Sequence, residues 1–164
     1  MSSDIIERFL DNAGKAAANA SRLKSARSLG KTLTELLPAE ASVYCPGKSK
    51  LEQSAEKALK NPVGDYASAE ICIEEVLAGI AETGSLVCSS DEGRAVQASL
   101  LPARHVALLP AEKIFATLDD FFAGVAADPP TNLTLITGPS RTADIELTLA
   151  IGVHGPGQLD ILVI

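Results

Sequence analysis

Cysteine is scarce in this chain of 164 residues, with Cys45, Cys72 and Cys88 its whole complement. Three thiols so widely spaced exclude a disulfide scaffold. No CxxC pair is present, so neither a zinc nor an iron–sulfur centre built by this chain alone is expected, and no cofactor is assigned to it. Each cysteine lies in an apolar stretch (Val-Tyr-Cys, Ile-Cys-Ile, Leu-Val-Cys), the setting of a small buried core residue, and such usage fits a reducing, cytoplasmic location. Charge is sparse too: 21% charged against 46% hydrophobic residues excludes an intrinsically disordered chain. Long apolar runs are missing, so no membrane span is expected, and Met-Ser-Ser-Asp lacks the basic and apolar regions of a secretory signal. The length suits one compact domain.

Several chemical signatures are absent. There is no GxxxxGK[ST] loop and no GxGxxG, which disfavours Walker-type and dinucleotide binding. No GxSxG elbow or Cys/His arrangement supports a hydrolase. Bases are few where they would be needed for nucleic acid. Residues 1–60 carry 10 bases against 7 acids, a net of +3, whereas residues 61–164 carry 4 against 14, a net of −10. An acidic body of this kind argues against nucleic-acid binding, whose main energy comes from Lys and Arg on phosphates. It also singles out Arg94, Arg104 and Arg141.

What is present is an alternating pattern. Residues 1–40 read as a helical extension: Ile5, Ile6, Phe9 and Leu10 follow candidate caps at Ser3 and Asp4, and a stripe from Leu23 to Leu36 or Leu37 is stopped by Pro38. Residues 41–164 read as an α/β domain. Short apolar runs at 42–45, 69–73, 86–88, 106–109, 132–137 and 159–164 predict strands. Ser49-Lys-Leu-Glu52 is a capping box, and helical pieces are expected at 74–80, 93–100 and from Pro110 through Phe115, Leu118, Phe122 and Val125. Asp119-Asp120 reads as that helix's solvated face. The fold class is a three-layer α/β/α domain with a mostly parallel sheet.

In such sheets ligands bind beyond the carboxyl ends of strands, and three loops combine glycine with polar side chains. The first holds Glu82, Thr83, Gly84 and Ser85, with Glu82 a candidate general base. The second runs from Thr137 through Gly138, Ser140, Arg141, Thr142, Asp144 and Glu146, opening a possible helical turn. Its amides, hydroxyls and guanidinium suit a phosphate or carboxylate. The third, Gly152 to Gly157, carries His154 and Gly155. Against these stand plainer readings: turn glycines, an ion pair of Arg141 with Asp144 or Glu146, a capping His154, a structural His105, or three loops that brace one another. Asp144, Glu146 and His154 lack a metal-binding spacing such as HExxH, and no metal is expected.

The run Thr137-Gly-Pro-Ser-Arg-Thr-Ala-Asp-Ile-Glu146, followed by Leu149-Ala-Ile-Gly-Val-His-Gly-Pro-Gly157, resembles the signature of the LUD-domain family, in particular its lactate-utilisation protein C branch. Ile80 to Leu86 resembles that family's upstream motif, and Leu101-Pro with His105-Val its middle segment. The resemblance covers residues 75–164. It implies a fold like the sugar-isomerase, CoA-transferase and 5-formyltetrahydrofolate cyclo-ligase group. It also implies an accessory, non-redox role in bacterial oxidation of L-lactate to pyruvate beside two iron–sulfur partner proteins. The alternative is a stand-alone enzyme of the same fold group, acting on a phosphate- or carboxylate-bearing substrate. The chain departs from relatives in a shorter N-terminal half. It departs again at Ile71-Cys-Ile-Glu-Glu75, where relatives carry a Gly-Val/Ile-Thr segment, so one wall of a pocket differs.

Overall fold

A computed structural model describes residues 3–90, 94–143, 149–151 and 155–164. Its centre is a six-stranded sheet, every neighbouring pair parallel. In chain order the strands are β1 (Asn19–Arg22), β2 (Val43–Tyr44), β3 (Pro62–Val63), β4 (Ile71–Glu75), β7 (Arg104–Leu109) and β12 (Gln158–Val163); across the sheet they run β1-β12-β7-β4-β2-β3. A four-stranded mixed sheet takes β5 (Ala78–Ile80), β6 (Ser85–Ser89), β8 (Ile114–Phe115) and β9 (Leu133–Ile136) in the order β8-β5-β6-β9. β10 (Arg141–Ala143) and β11 (Leu149–Ile151) pair antiparallel. The α/β class with a mostly parallel sheet is therefore as the pattern predicted.

Side-chain alternation assigns the two faces of the central sheet, because successive residues of a strand point opposite ways. Val106, Leu108, Ile71, Ile73 and Leu162 meet Leu29 and Leu33 of α2 (Leu29–Leu36) and Ala55 of α3 (Lys50–Glu56). Ala107, Leu109, Leu159, Ile161 and Val163 face the other way, onto Ile6, Phe9 and Ala13 of α1 (Ser3–Lys15) and onto Leu86 and Cys88 of β6. Outside the smaller sheet, α4 (Leu118–Val125) closes the stack by burying Phe121 against Ala78, Ile80 and Val87.

Five local expectations are corrected. Asn19–Arg22, read as part of a helical segment, is a strand that pairs with β12, so residues 1–40 contribute to the central sheet as well as two helices. Residues 74–80, read as helical, finish β4 and form β5; their apolar positions are buried on both sides of a sheet, where periodicity does not separate strand from helix. Ala111–Lys113 is a single 3-10 turn, and the helix begins only at Leu118 behind a Thr117–Asp120 capping box. That start puts Leu118, Phe121 and Val125 on the buried face and leaves Phe122 46% exposed. Arg141–Ala143, read as opening a helical turn, is β10. Residues 93–100 yield a short 3-10 segment, Val96–Ser99.

Candidate functional site

The motif loops gather around the end of α1. That helix closes in a Schellman turn: the Ala18 amide donates to Ala13 O at 3.0 Å and the Ala17 amide to Gly14 O at 2.9 Å. Ala17 takes the left-handed position, with φ 67°, that glycine usually fills. Gly84 and Gly138 press onto this turn with φ of +69° and +75°. A Cβ on Gly84 would lie 2.1 Å from Ala13 N, and one on Gly138 2.0 Å from Ala16 O. Both motif glycines thus serve close backbone packing. Asn12 adds to it, its Nδ2 donating to Ala81 O at 2.8 Å and Glu82 O at 3.1 Å.

Hydroxyls join the first two loops. Thr83 Oγ1 lies 2.7 Å from Ser85 Oγ, which lies 2.6 Å from Thr137 Oγ1. Loops two and three meet where the Ser140 amide donates to Pro156 O at 2.8 Å. Gly155 packs there too, within reach of Ser140 Cβ. Between them lies an open cleft of about 520 Å³, lined by Thr137, Gly138, Ser140, Arg141 and Gly155 with Leu135 of β9. Arg141 is exposed. Glu82 points elsewhere: its Oε1 accepts the Leu118 amide at 2.7 Å, at the start of α4. Thr142 belongs to β10, while Asp144, Glu146 and His154 lie outside the described residues. The third loop enters β12 at its amino end, and its Gly157 amide donates to Ala103 O beside the start of β7. The cleft is therefore at the amino edge of the parallel sheet, opposite to the edge expected.

At the carboxyl edge lies a group of residues that sequence reasoning did not assemble. Glu52, fully buried, is the capping-box residue of α3: it accepts from the Lys48 and Ser49 amides at 2.8 and 3.0 Å. It also accepts the Glu75 amide at 2.8 Å and both terminal nitrogens of Arg94. Burial alone would raise its pKa, but the Arg94 contact and the Glu75 and Ser49 amides prevail and hold it below the usual carboxylate range. Lys113 donates to Glu75 Oε1 at 2.8 Å. Next to them Glu74, 5% exposed, places Oε1 3.2 Å from His105 Nε2. Neither atom has a hydrogen bond from a described residue. A pocket of about 230 Å³ opens among Glu74, Glu75, Arg94, Lys113, Ser49 and Ser89. The sequence signals for it were the scarcity of bases beyond residue 60, which singled out Arg94, and the capping box. Arg104, the other arginine singled out, is structural. It donates from Nε to the buried Asp160 at 2.7 Å and reaches Leu36 O.

The fold is that of a crystal structure of a DUF162 family protein from Deinococcus radiodurans, with a TM-score of 0.73 over 99% of this chain and 98% of that one at 21% identity. An uncharacterized protein of Neisseria meningitidis is 44% identical over 89 residues, 52% of this chain and 38% of its own length. Lactate utilization protein C of Macrococcus caseolyticus is 36% identical over 108 residues, 62% of this chain and 46% of its own. Its namesake in an Exiguobacterium strain is 30% identical over 122 residues, 71% of this chain and 50% of its own. The chain thus spans half or less of the length of these curated relatives. The LUD domain matches residues 64–164, which include every strand from β4 to β12 and both motif runs, and the chain belongs to the LUD-domain family.

Proposed function

We propose that this chain is an accessory, non-redox component of bacterial lactate utilisation, working in the cytoplasm beside two iron–sulfur proteins that oxidise L-lactate to pyruvate. In this reading the motif loops hold a small anion in the amino-edge cleft. Arg141 supplies the charge, with Ser140 and the loop amides as donors. What carries it is the family match over residues 64–164 together with the similarity to relatives named lactate utilization protein C. The test is deletion of the gene followed by growth on L-lactate as sole carbon source. Growth should fail and return with the intact gene, and Arg141→Ala should weaken binding of a small carboxylate about tenfold, ~1.4 kcal/mol, by calorimetry. Unimpaired growth of the deletion strain on lactate refutes the reading.

A second reading, a stand-alone enzyme on a carboxylate- or phosphate-bearing substrate, is favoured by the charged pocket at the carboxyl edge of the sheet, where ligands of parallel α/β folds bind. In that reading Glu74 is better placed for acid–base work than Glu82, whose Oε1 is committed to the Leu118 amide.

A further inference from the structure

The pocket at the carboxyl ends of β4 and β7 has features that folding alone does not explain. A buried carboxylate oxygen without a hydrogen bond is destabilising, and native interiors seldom keep one without a partner to come. Glu74 is 5% exposed, lines the pocket and has such an oxygen. Its position is no accident of a surface loop, because Glu74 lies within β4, paired in register with Ala107 of β7. That oxygen is shielded from the pocket and faces His105 Nε2 at 3.2 Å, so a donor from inside the pocket would meet the outer edge of the carboxylate.

The opposite wall offers donors instead. Arg94 directs two of its five guanidinium N–H groups to Glu52, and no other described residue accepts from it. The charge of Glu52 is shared with three backbone amides, those of Lys48, Ser49 and Glu75. Lys113 gives one of three protons to Glu75 and remains 40% exposed at the mouth. Ser49 and Ser89 add hydroxyl-bearing side chains to the lining. The volume of about 230 Å³ equals that of roughly eight water molecules at about 30 Å³ each, the scale of a small metabolite.

We propose that this pocket binds a small hydroxylated anion, its carboxylate or phosphate held by Lys113 and the remaining N–H groups of Arg94, its hydroxyl donating to Glu74. The site is separate from the Arg141 cleft and independent of the pathway assignment.

Calorimetry on the whole chain tests it with L-lactate, glycerol 3-phosphate, propionate and L-alanine. Lactate or glycerol phosphate should bind, and whichever is tighter identifies the anionic group. Propionate, lacking the hydroxyl, should bind ten- to a hundredfold more weakly than lactate where lactate is the ligand. Lys113→Ala, at a half-exposed position that does not threaten folding, should weaken binding at least tenfold. Glu74→Gln should collapse the preference for lactate over propionate. The proposal is overturned if neither hydroxylated anion binds below 10 mM (about 3 kcal/mol). It is equally overturned if Lys113→Ala leaves the affinity intact or if alanine binds more tightly than lactate.

Discussion

Gly84 belongs to a motif that suits a ligand loop, yet the geometry makes it a packing residue, and Gly84→Ala separates the two roles. The added Cβ would lie 2.1 Å from Ala13 N, 2.5 Å from Asn12 C and 2.6 Å from Ala13 Cα, all backbone atoms that cannot rotate away. The φ of +69° adds left-handed strain of about 1–2 kcal/mol for any residue with a Cβ. Relief requires α1 to retreat by about 1 Å, which loosens Ile6, Phe9 and Ala13 in the main core, an overpacking penalty of about 1–3 kcal/mol. The total, about 2–5 kcal/mol, corresponds to a fall in Tm of about 10 °C for a chain of this size. Thermal unfolding by circular dichroism reads it directly. Gly14→Ala is the internal control. It lies in α1 with nothing within 4 Å of its Cβ site, and should gain about 0.5 kcal/mol from helix propensity. A Gly84→Ala protein that melts within 2 °C of the parent but loses a ligand would refute the packing argument and restore the glycine to a binding role.

Two further outcomes follow from the carboxyl-edge cluster and the thiols. Glu52→Gln leaves Arg94, whose side chain is 12% exposed, without its counter-charge, and should lower stability in urea by about 3 kcal/mol at pH 7. Because the folded-state pKa of Glu52 lies below its unfolded value, its contribution is complete above about pH 4.5 and drains as pH falls through the folded pKa. The parent should therefore lose stability on acidification more steeply than Glu52→Gln, and parallel pH profiles for the two would refute the assignment. Burial raises all three thiols, Cys45 to about 12 and Cys72 and Cys88 well above their ordinary value. A thiol-reactive disulfide reagent at pH 8 should therefore label the native chain only slowly and release all three cysteines in denaturant, whereas one rapid equivalent from native protein contradicts it.

The legible part of the fold was what local chemistry dictates. The Ser49–Glu52 capping box, the strands at 86–88 and 106–109 and the alternation that makes an α/β sheet all require only near neighbours. What escaped depends on distant partners. β1 is a polar Asn-Ala-Ser-Arg segment with one half-buried position and no strand signal of its own; β12 makes it a strand by pairing. The motif loops were recognised as one group and do converge, but at the amino edge, because the chain order of loops does not say which end of a sheet α1 will reach. Glu74 and Glu75 stand at the end of β4. The pocket wall they form became visible only once Arg94 and Lys113 were brought across from 19 and 38 residues away in sequence.

The family match begins at residue 64, but the folded unit does not. β12 has β1 as one neighbour and β7 as the other, and β4 has β2 beside it, so both strands that flank the matched part of the central sheet come from before residue 64, as does β3 beyond β2. Three of the four α-helices among the described residues also precede that residue. Phe9 fills the space above Gly79, where a Cβ would lie 3.0 Å from its ring and 2.7 Å from Leu109. Glu52, which fixes Arg94 and the Glu75 amide, belongs to α3. Without residues 1–63 the matched segment would expose the face of β7 that α2 and α3 cover, lose α1 from the other, and lose the carboxylate that organises its carboxyl edge. The N-terminal residues are therefore as much a part of the pocket's architecture as the motifs, although the motif signature lies wholly beyond them.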